Sequence, residues 1–130
     1  VSTILGIATQ RDSINVVNDQ WGSPTYSKDL AKALRRLIDC DAMGIYHVCN
    51  RGRATWYDLA KKAIELAELG TTVVPVDTSE FPRPAPRPKN SILTTRKFTD
   101  TTGKLMPVWQ ISLQHYIKEY LFEYRQSGRA

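Results

Sequence analysis

Apolar residues fall at positions 1, 4, 5 and 8 of the opening stretch, a helical stripe with no capping residue ahead of it. The pattern predicts a helix and suggests a chain cut inside that helix or just before it. Ile14-Asn15-Val16-Val17-Asn18 is β-branched and bounded by polar turn formers, the mark of a short strand. Pro24 cannot sit inside a helix and pushes Ser23 towards an extended conformation. The next helix therefore starts after it, with Ser27 as the expected N-cap and Asp29 favourably placed in the first turn. Leu30, Ala31, Leu34, Leu37 and Ile38 form its expected buried face, away from Lys28, Lys32, Arg35 and Arg36, and residues 39–44 end it.

Gly44-Ile45-Tyr46-His47-Val48-Cys49-Asn50 is rich in β-formers and predicts a second strand. Thr55 followed by Asp58 nearly matches a capping box, and Leu59, Ala60, Ala63, Ile64 and Ala67 continue it as a helical stripe. Gly70 is expected to close that helix in the left-handed conformation. Residues 71–76 read as a third strand, held to a sheet edge by Pro75, which has no N–H for a ladder. From Asp77 to Asn90 the chain carries four prolines and no periodicity, so a long irregular segment is expected. Thr95 and Gly103 bracket a short helix, and Trp109, Leu113, Ile117, Tyr120, Leu121 and Tyr124 mark a last one, followed by a frayed tail at 126–130. Strands alternate with helices, which argues for an α/β layer, though three short strands make a small sheet and not a complete doubly wound fold.

Composition narrows the partners more than the fold. A chain of 130 residues fits one domain, and its net charge of +5 favours anionic ligands. The cations are interspersed with acids, so no basic stripe marks a nucleic-acid surface. No stretch approaches the roughly 18 apolar residues of a membrane span, and no signal-peptide pattern occurs. Cys40 and Cys49 lie outside any Cys-x-x-Cys pair and read as reduced thiols, which makes a cytoplasmic location the expectation. His47 and His115 have no metal-ligand partner at i+4.

Tyr57 and Lys61 have the Tyr-x-x-x-Lys spacing with which short-chain dehydrogenases supply a proton donor, but their Leu59 and Ala60 belong to an ordinary amphipathic stripe. Gly-x-Gly-x-x-Gly, which would present backbone N–H groups to a dinucleotide, is absent from the seven glycines. No catalytic or cofactor-binding residue is therefore assigned in this chain.

The run from Val17 to Ala31, with Trp21-Gly22-Ser23-Pro24-Thr25 at its centre, precedes Arg83-Pro84-Ala85-Pro86-Arg87-Pro88-Lys89-Asn90-Ser91-Ile92-Leu93 and then Pro107-Val108-Trp109 with Leu113. In that order these segments resemble the C-terminal portion of the dTDP-4-dehydrorhamnose reductase family, extended short-chain dehydrogenases that reduce sugar nucleotides. Thr94 stands where that family more often has aspartate, and Trp21 where it has a smaller hydrophobe.

The resemblance covers nearly the whole chain and implies its fold class: a small α/β C-terminal substrate-binding lobe of a Rossmann-type enzyme whose N-terminal half is absent. It implies that NADPH or NADH, and the catalytic tyrosine and lysine, belong to that missing half, and that magnesium is a cofactor known in the family. It also implies a dTDP-sugar nucleotide as partner, with the missing Rossmann half and a homodimer as protein partners. A sugar nucleotide needs guanidinium or N–H donors, an aromatic surface and small polar groups. Trp21, Gly22, Ser23, Thr25, Arg87, Asn90 and Ser91 are the expected substrate-binding residues, with Arg87 at the pyrophosphate. The resemblance is shared by a second class of protein, non-catalytic reductase-like subunits such as the regulatory β subunit of methionine adenosyltransferase.

Overall fold

The computed structural model describes residues 1–82 and 84–126, with side chains as far as Leu121. Of the expected frayed tail at 126–130, Gln126 is still helical, and residues 127–130, like Arg83 and the side chain of Tyr124, lie outside the described residues. Helix α1 (Ser2–Ala8) buries Leu5 and Ala8 of the opening stripe. Strand β1 (Ser13–Val17) runs parallel to β4 (Thr72–Val76), with Ile14 opposite Val73 and Val16 opposite Pro75. Between them come β2 (Trp21–Gly22), α2 (Ser27–Asp39), β3 (Ala54–Thr55) and α3 (Trp56–Leu66). A single 3-10 turn (Thr78–Glu80), α4 (Arg96–Thr102) and α5 (Trp109–Gln126) follow β4.

The capping box forms as the sequence predicts. Thr55 Oγ1 accepts from the Asp58 N–H at 3.1 Å, and Asp58 Oδ2 accepts from the Thr55 N–H at 2.9 Å. Leu59, Ala60, Ala63 and Ile64 are buried, so the stripe faces inward. Ile64 joins Ala8 and Ile14 in one apolar cluster beneath the parallel strands. Ala63 and Leu59 join Leu5, Trp109, Leu113 and Ile117 in a second, which clamps α3 on α5.

Four local expectations are corrected. Residues 44–50 form no strand, because the segment finds no ladder among the described residues. Tyr46 and Val48 instead pack on the cluster of Ala33, Leu37, Phe98 and Met106. Second, α2 buries Asp29, Ala33 and Leu37, whereas Leu34 and Ile38 of its expected face are exposed, Ile38 by 69%. The contact with α4 and a hydrogen bond to Asp29 select the i, i+4, i+8 row over the more apolar one. Third, Ser27 is the first helical residue and Tyr26 the cap; Thr95 does stand at the N-cap of α4 as expected, though its side chain makes no cap bond. Fourth, α3 ends at Leu66, and Glu68, with φ 55°, adopts the left-handed conformation expected of Gly70. Gly103, with φ 64°, does close α4 as expected.

Candidate functional site

Strand β2 is only two residues long, yet it joins three distant parts of the chain. On one edge Trp21 pairs with Thr55 and Gly22 with Ala54 in the antiparallel ribbon β2·β3. On the other edge Trp21 bridges Asn90, its N–H donating to Lys89 O at 2.8 Å while Ser91 N–H donates to Trp21 O at 2.9 Å. The result is a miniature sheet that carries the strand-to-helix turn, the start of α3 and the end of the proline-rich segment. Between these parts lies a cavity of about 340 Å³ lined by Trp21, Gly22, Ser23, Trp56, Arg87 and Ser91 among others.

The proline-rich segment is anchored at both ends. Ahead of it, Asp19 Oδ1 accepts from Thr78 Oγ1 at 2.5 Å and from the Thr78 N–H at 3.2 Å. Gln20 Nε2 also donates to Thr78 Oγ1, at 2.9 Å. Behind it, Ser91 Oγ adds a 3.0 Å bond to Trp21 O. Its two ends are thus held on the consecutive residues Asp19, Gln20 and Trp21, and Arg87 between them lines the cavity. Arg87 is the one charged residue among the described residues that line the cavity.

The turn at 22–26 is fixed from below. Asn50, only 1% exposed, accepts the Tyr26 N–H at Oδ1 (2.8 Å) and donates from Nδ2 to Asp29 Oδ2 (3.0 Å) and Pro107 O (3.2 Å). Ser112 Oγ donates to the same Asp29 oxygen at 2.5 Å, and Thr25 Oγ1 bridges Ser23 O and the Asn50 N–H. Buried carboxylates persist only when so paired. Ser23 differs: its Oγ is buried with no hydrogen-bond partner among the described residues, and Ser23 lines the cavity. A buried hydroxyl left unpaired costs about 1–3 kcal/mol, so this oxygen is poised for a polar ligand.

Of the expected site residues, Trp21, Gly22, Ser23, Arg87 and Ser91 are brought together around the cavity. Thr25 and Asn90 are not among its lining. Thr25 is spent inside the turn, and Asn90 Oδ1 accepts from the Ile92 N–H at 3.0 Å. Sequence reasoning missed Gln20, Thr55 and Trp56. Trp56, at the first position of α3, is 49% exposed, and a large apolar side chain standing in solvent at a helix start marks it as a site only once the structure shows that exposure.

Gln20, Trp56 and Arg87 also line a second, larger groove of about 950 Å³. This groove runs along β1 and is walled by α1 through Ile4 and Ile7 and by Phe81. Among the described residues β1 pairs only with β4, so its other edge offers unpaired backbone groups to this groove.

Tyr57 and Lys61 lie away from both cavities on α3, with Lys61 Nζ 5.8 Å from the Tyr57 ring centre. The side-chain titrations that are shifted lie elsewhere. Tyr26 Oη donates to Glu119, which also pairs with Lys28 at 2.8 Å. The bonds to Lys28 and Tyr26 hold Glu119 below the usual glutamate range, and its carboxylate raises Lys28. Desolvation first, and the bond to Glu119 second, raise Tyr26.

No helix among the described residues is long and apolar enough to cross a membrane. No group of three or more His, Cys, Asp or Glu comes together among them, so the magnesium expected from the family finds no cluster of ligands here. The turn from β2 to α2 does not offer the run of free N–H groups that a dinucleotide loop presents, because Pro24 has none and the Tyr26 N–H is taken by Asn50.

Comparison with known proteins bears on this arrangement directly. The family model described as "RmlD substrate binding domain" matches residues 1–122. The spore coat polysaccharide biosynthesis protein SpsK of Bacillus subtilis is 39% identical over 92% of this chain and 41% of its own length. The dTDP-4-dehydrorhamnose reductase of Escherichia coli is 35% identical over 90% of this chain and 43% of its own. Among solved structures, a dTDP-4-dehydrorhamnose reductase from Clostridium acetobutylicum superposes with a TM-score of 0.89 at 37% identity, covering 92% of this chain and 43% of that one. The Bacillus anthracis dTDP-4-dehydrorhamnose reductase in complex with NADP gives 0.87, also at 37% identity, over 91% and 42%. The chain thus spans about two fifths of the length of the relatives it matches.

Proposed function

The chain belongs to the RmlD substrate-binding domain family, and from that premise we propose that it is the sugar-nucleotide-binding part of an NAD(P)H-dependent dTDP-4-dehydrorhamnose reductase. Such an enzyme reduces the 4-keto group to give dTDP-L-rhamnose for cell-surface polysaccharide. The observation that carries the reading is the cavity under the proline-rich segment: one guanidinium, no carboxylate, two indoles and a buried unpaired serine hydroxyl among its described lining. That inventory matches an anionic diphosphate joined to an aromatic base and a hydroxylated ring.

In this reading Arg87 holds the pyrophosphate, Trp21 and Trp56 supply apolar surface, and Ser23 and Ser91 supply small polar groups. Their contribution is orientation: a ketone held in one pose reacts as if at high local concentration. The acid-base pair and the nicotinamide lie on the rest of the protein, in agreement with the remote position of Tyr57 and Lys61. The exposed edge of β1 and the groove beside it are the natural seat for that remainder, because Gln20, Trp56 and Arg87 are common to the groove and to the cavity. A ligand in the cavity would then meet the second half of the enzyme across these three side chains.

The test is oxidation of NADPH by the protein at its natural length when offered dTDP-4-dehydrorhamnose, with dTDP-L-rhamnose identified as product. Turnover is the expected result. A folded protein that binds dTDP yet gives no turnover would refute the catalytic reading and leave a reductase-like binding subunit.

A further inference from the structure

Arg53 stands just outside the described lining of the cavity, stacked on Trp21, which belongs to it. Its guanidinium carbon lies 4.8 Å from the centre of the Trp21 ring. The register of β2·β3 explains the contact. Thr55 pairs with Trp21, so Arg53, two residues earlier on β3's side, projects from the same face of the ribbon as Trp21. Continuing that register by one residue sets Ser23, with its unpaired hydroxyl, opposite Arg53.

The backbone below Arg53 is firmly held. Trp109 Nε1 donates to Arg53 O at 3.2 Å, and Arg51 N–H and O bond Pro107 O (2.8 Å) and Trp109 N–H (3.0 Å). Gly52 has φ 91°, and a Cβ there would come within 3.0 Å of Trp109 Cδ1, so only glycine lets the strand turn this closely. The guanidinium, in contrast, meets neither a carboxylate nor a hydrogen-bond acceptor among the described residues. It is positioned by stacking alone, which leaves its planar N–H edges available.

Charge gives this a purpose. The pyrophosphate of a sugar nucleotide carries two negative charges, and Arg87 is the one cation among the described lining. We propose that Arg53, stacked on Trp21 beside Ser23, is a second phosphate-binding residue that works with Arg87 as a pair of guanidinium forks. Bidentate guanidinium contacts are the strongest of the charge-assisted hydrogen bonds to phosphate. This inference rests on the sugar-nucleotide reading above and assigns to the same site a diphosphate requirement.

The test compares dTDP with thymidine, which has the base and sugar but no phosphate, by ligand-observed NMR and calorimetry on the protein at its natural length. Arg53→Gln is expected to weaken dTDP by about tenfold or more, the scale of one charge-assisted bond, and to leave thymidine within about twofold. It should also flatten the loss of dTDP affinity with added salt, and Arg53→Lys should fall between the two. Equal loss for both ligands would overturn the proposal and leave Arg53 as a prop for Trp21. Unchanged dTDP affinity would overturn it as well. Failure of the unsubstituted protein to bind dTDP would instead remove the sugar-nucleotide reading, and this inference with it.

Discussion

Substituting Asn50 tests the reasoning about the site most severely, because one buried side chain holds the binding turn to the core. Asn50→Ala removes three hydrogen bonds of 2.8–3.2 Å: from the Tyr26 N–H, to Asp29 Oδ2 and to Pro107 O. One of them serves a carboxylate, and such bonds contribute about 1.5–3 kcal/mol, against about 0.5–1.5 for each neutral one. Asp29 keeps only Ser112 among these partners, so its charge is left under-compensated in a buried place. The expected loss is about 3–5 kcal/mol, a large part of the roughly 5–15 kcal/mol that a domain commonly has.

Asn50→Asp should be worse at neutral pH, since it replaces the donor facing Asp29 by a second carboxylate. Two carboxylates at that spacing raise the pKa of one of them. A raised acid pKa in the folded state means that folding takes up protons, so this variant gains stability as pH falls. Urea unfolding at two pH values reads both effects. A loss below about 1 kcal/mol for Asn50→Ala, or an Asn50→Asp variant as stable as Asn50→Ala at neutral pH, would refute the role given to this network.

Arg87→Ala is expected to weaken dTDP by about tenfold to a hundredfold in a binding titration, the scale of a charge-assisted bond, with NADPH affinity unchanged. Tyr57→Phe should leave turnover within a few fold, because Tyr57 lies outside both cavities; a loss of about a thousandfold, the scale of acid-base catalysis, would show that the catalytic pair had been misplaced. Glu119 is held below the usual glutamate range, so what it contributes to stability is present above that range and is lost as pH falls through its lowered value. Melting temperatures of the parent and Glu119→Gln should accordingly differ at neutral pH and converge on acidification.

The amino-acid sequence by itself determined what depends on neighbours along the chain. The capping box of Thr55 and Asp58, the inward stripe of α3, the stop at Gly103, the edge strand with Pro75 and the irregular proline-rich segment all rest on backbone rules that act within a few residues. The resemblance of the 17–31 and 83–93 runs to a reductase family was legible for the same reason: short motifs keep their order.

Tertiary structure decided the rest, because the deciding contacts join residues far apart in sequence. The expected strand at 44–50 was lost for want of a ladder, although its β-forming residues were real. The buried face of α2 went to Asp29, Ala33 and Leu37 because Asn50 and Ser112 hold Asp29 from other elements, and no periodicity within the helix records that. The cavity exists only where residues 21–22, 54–55 and 89–91 meet in one small sheet, which is why Trp56, Gln20 and Arg53 carried no signal as sites until they were brought together. Local propensity is a property of the chain. A binding site is a property of which distant segments satisfy one another's hydrogen bonds.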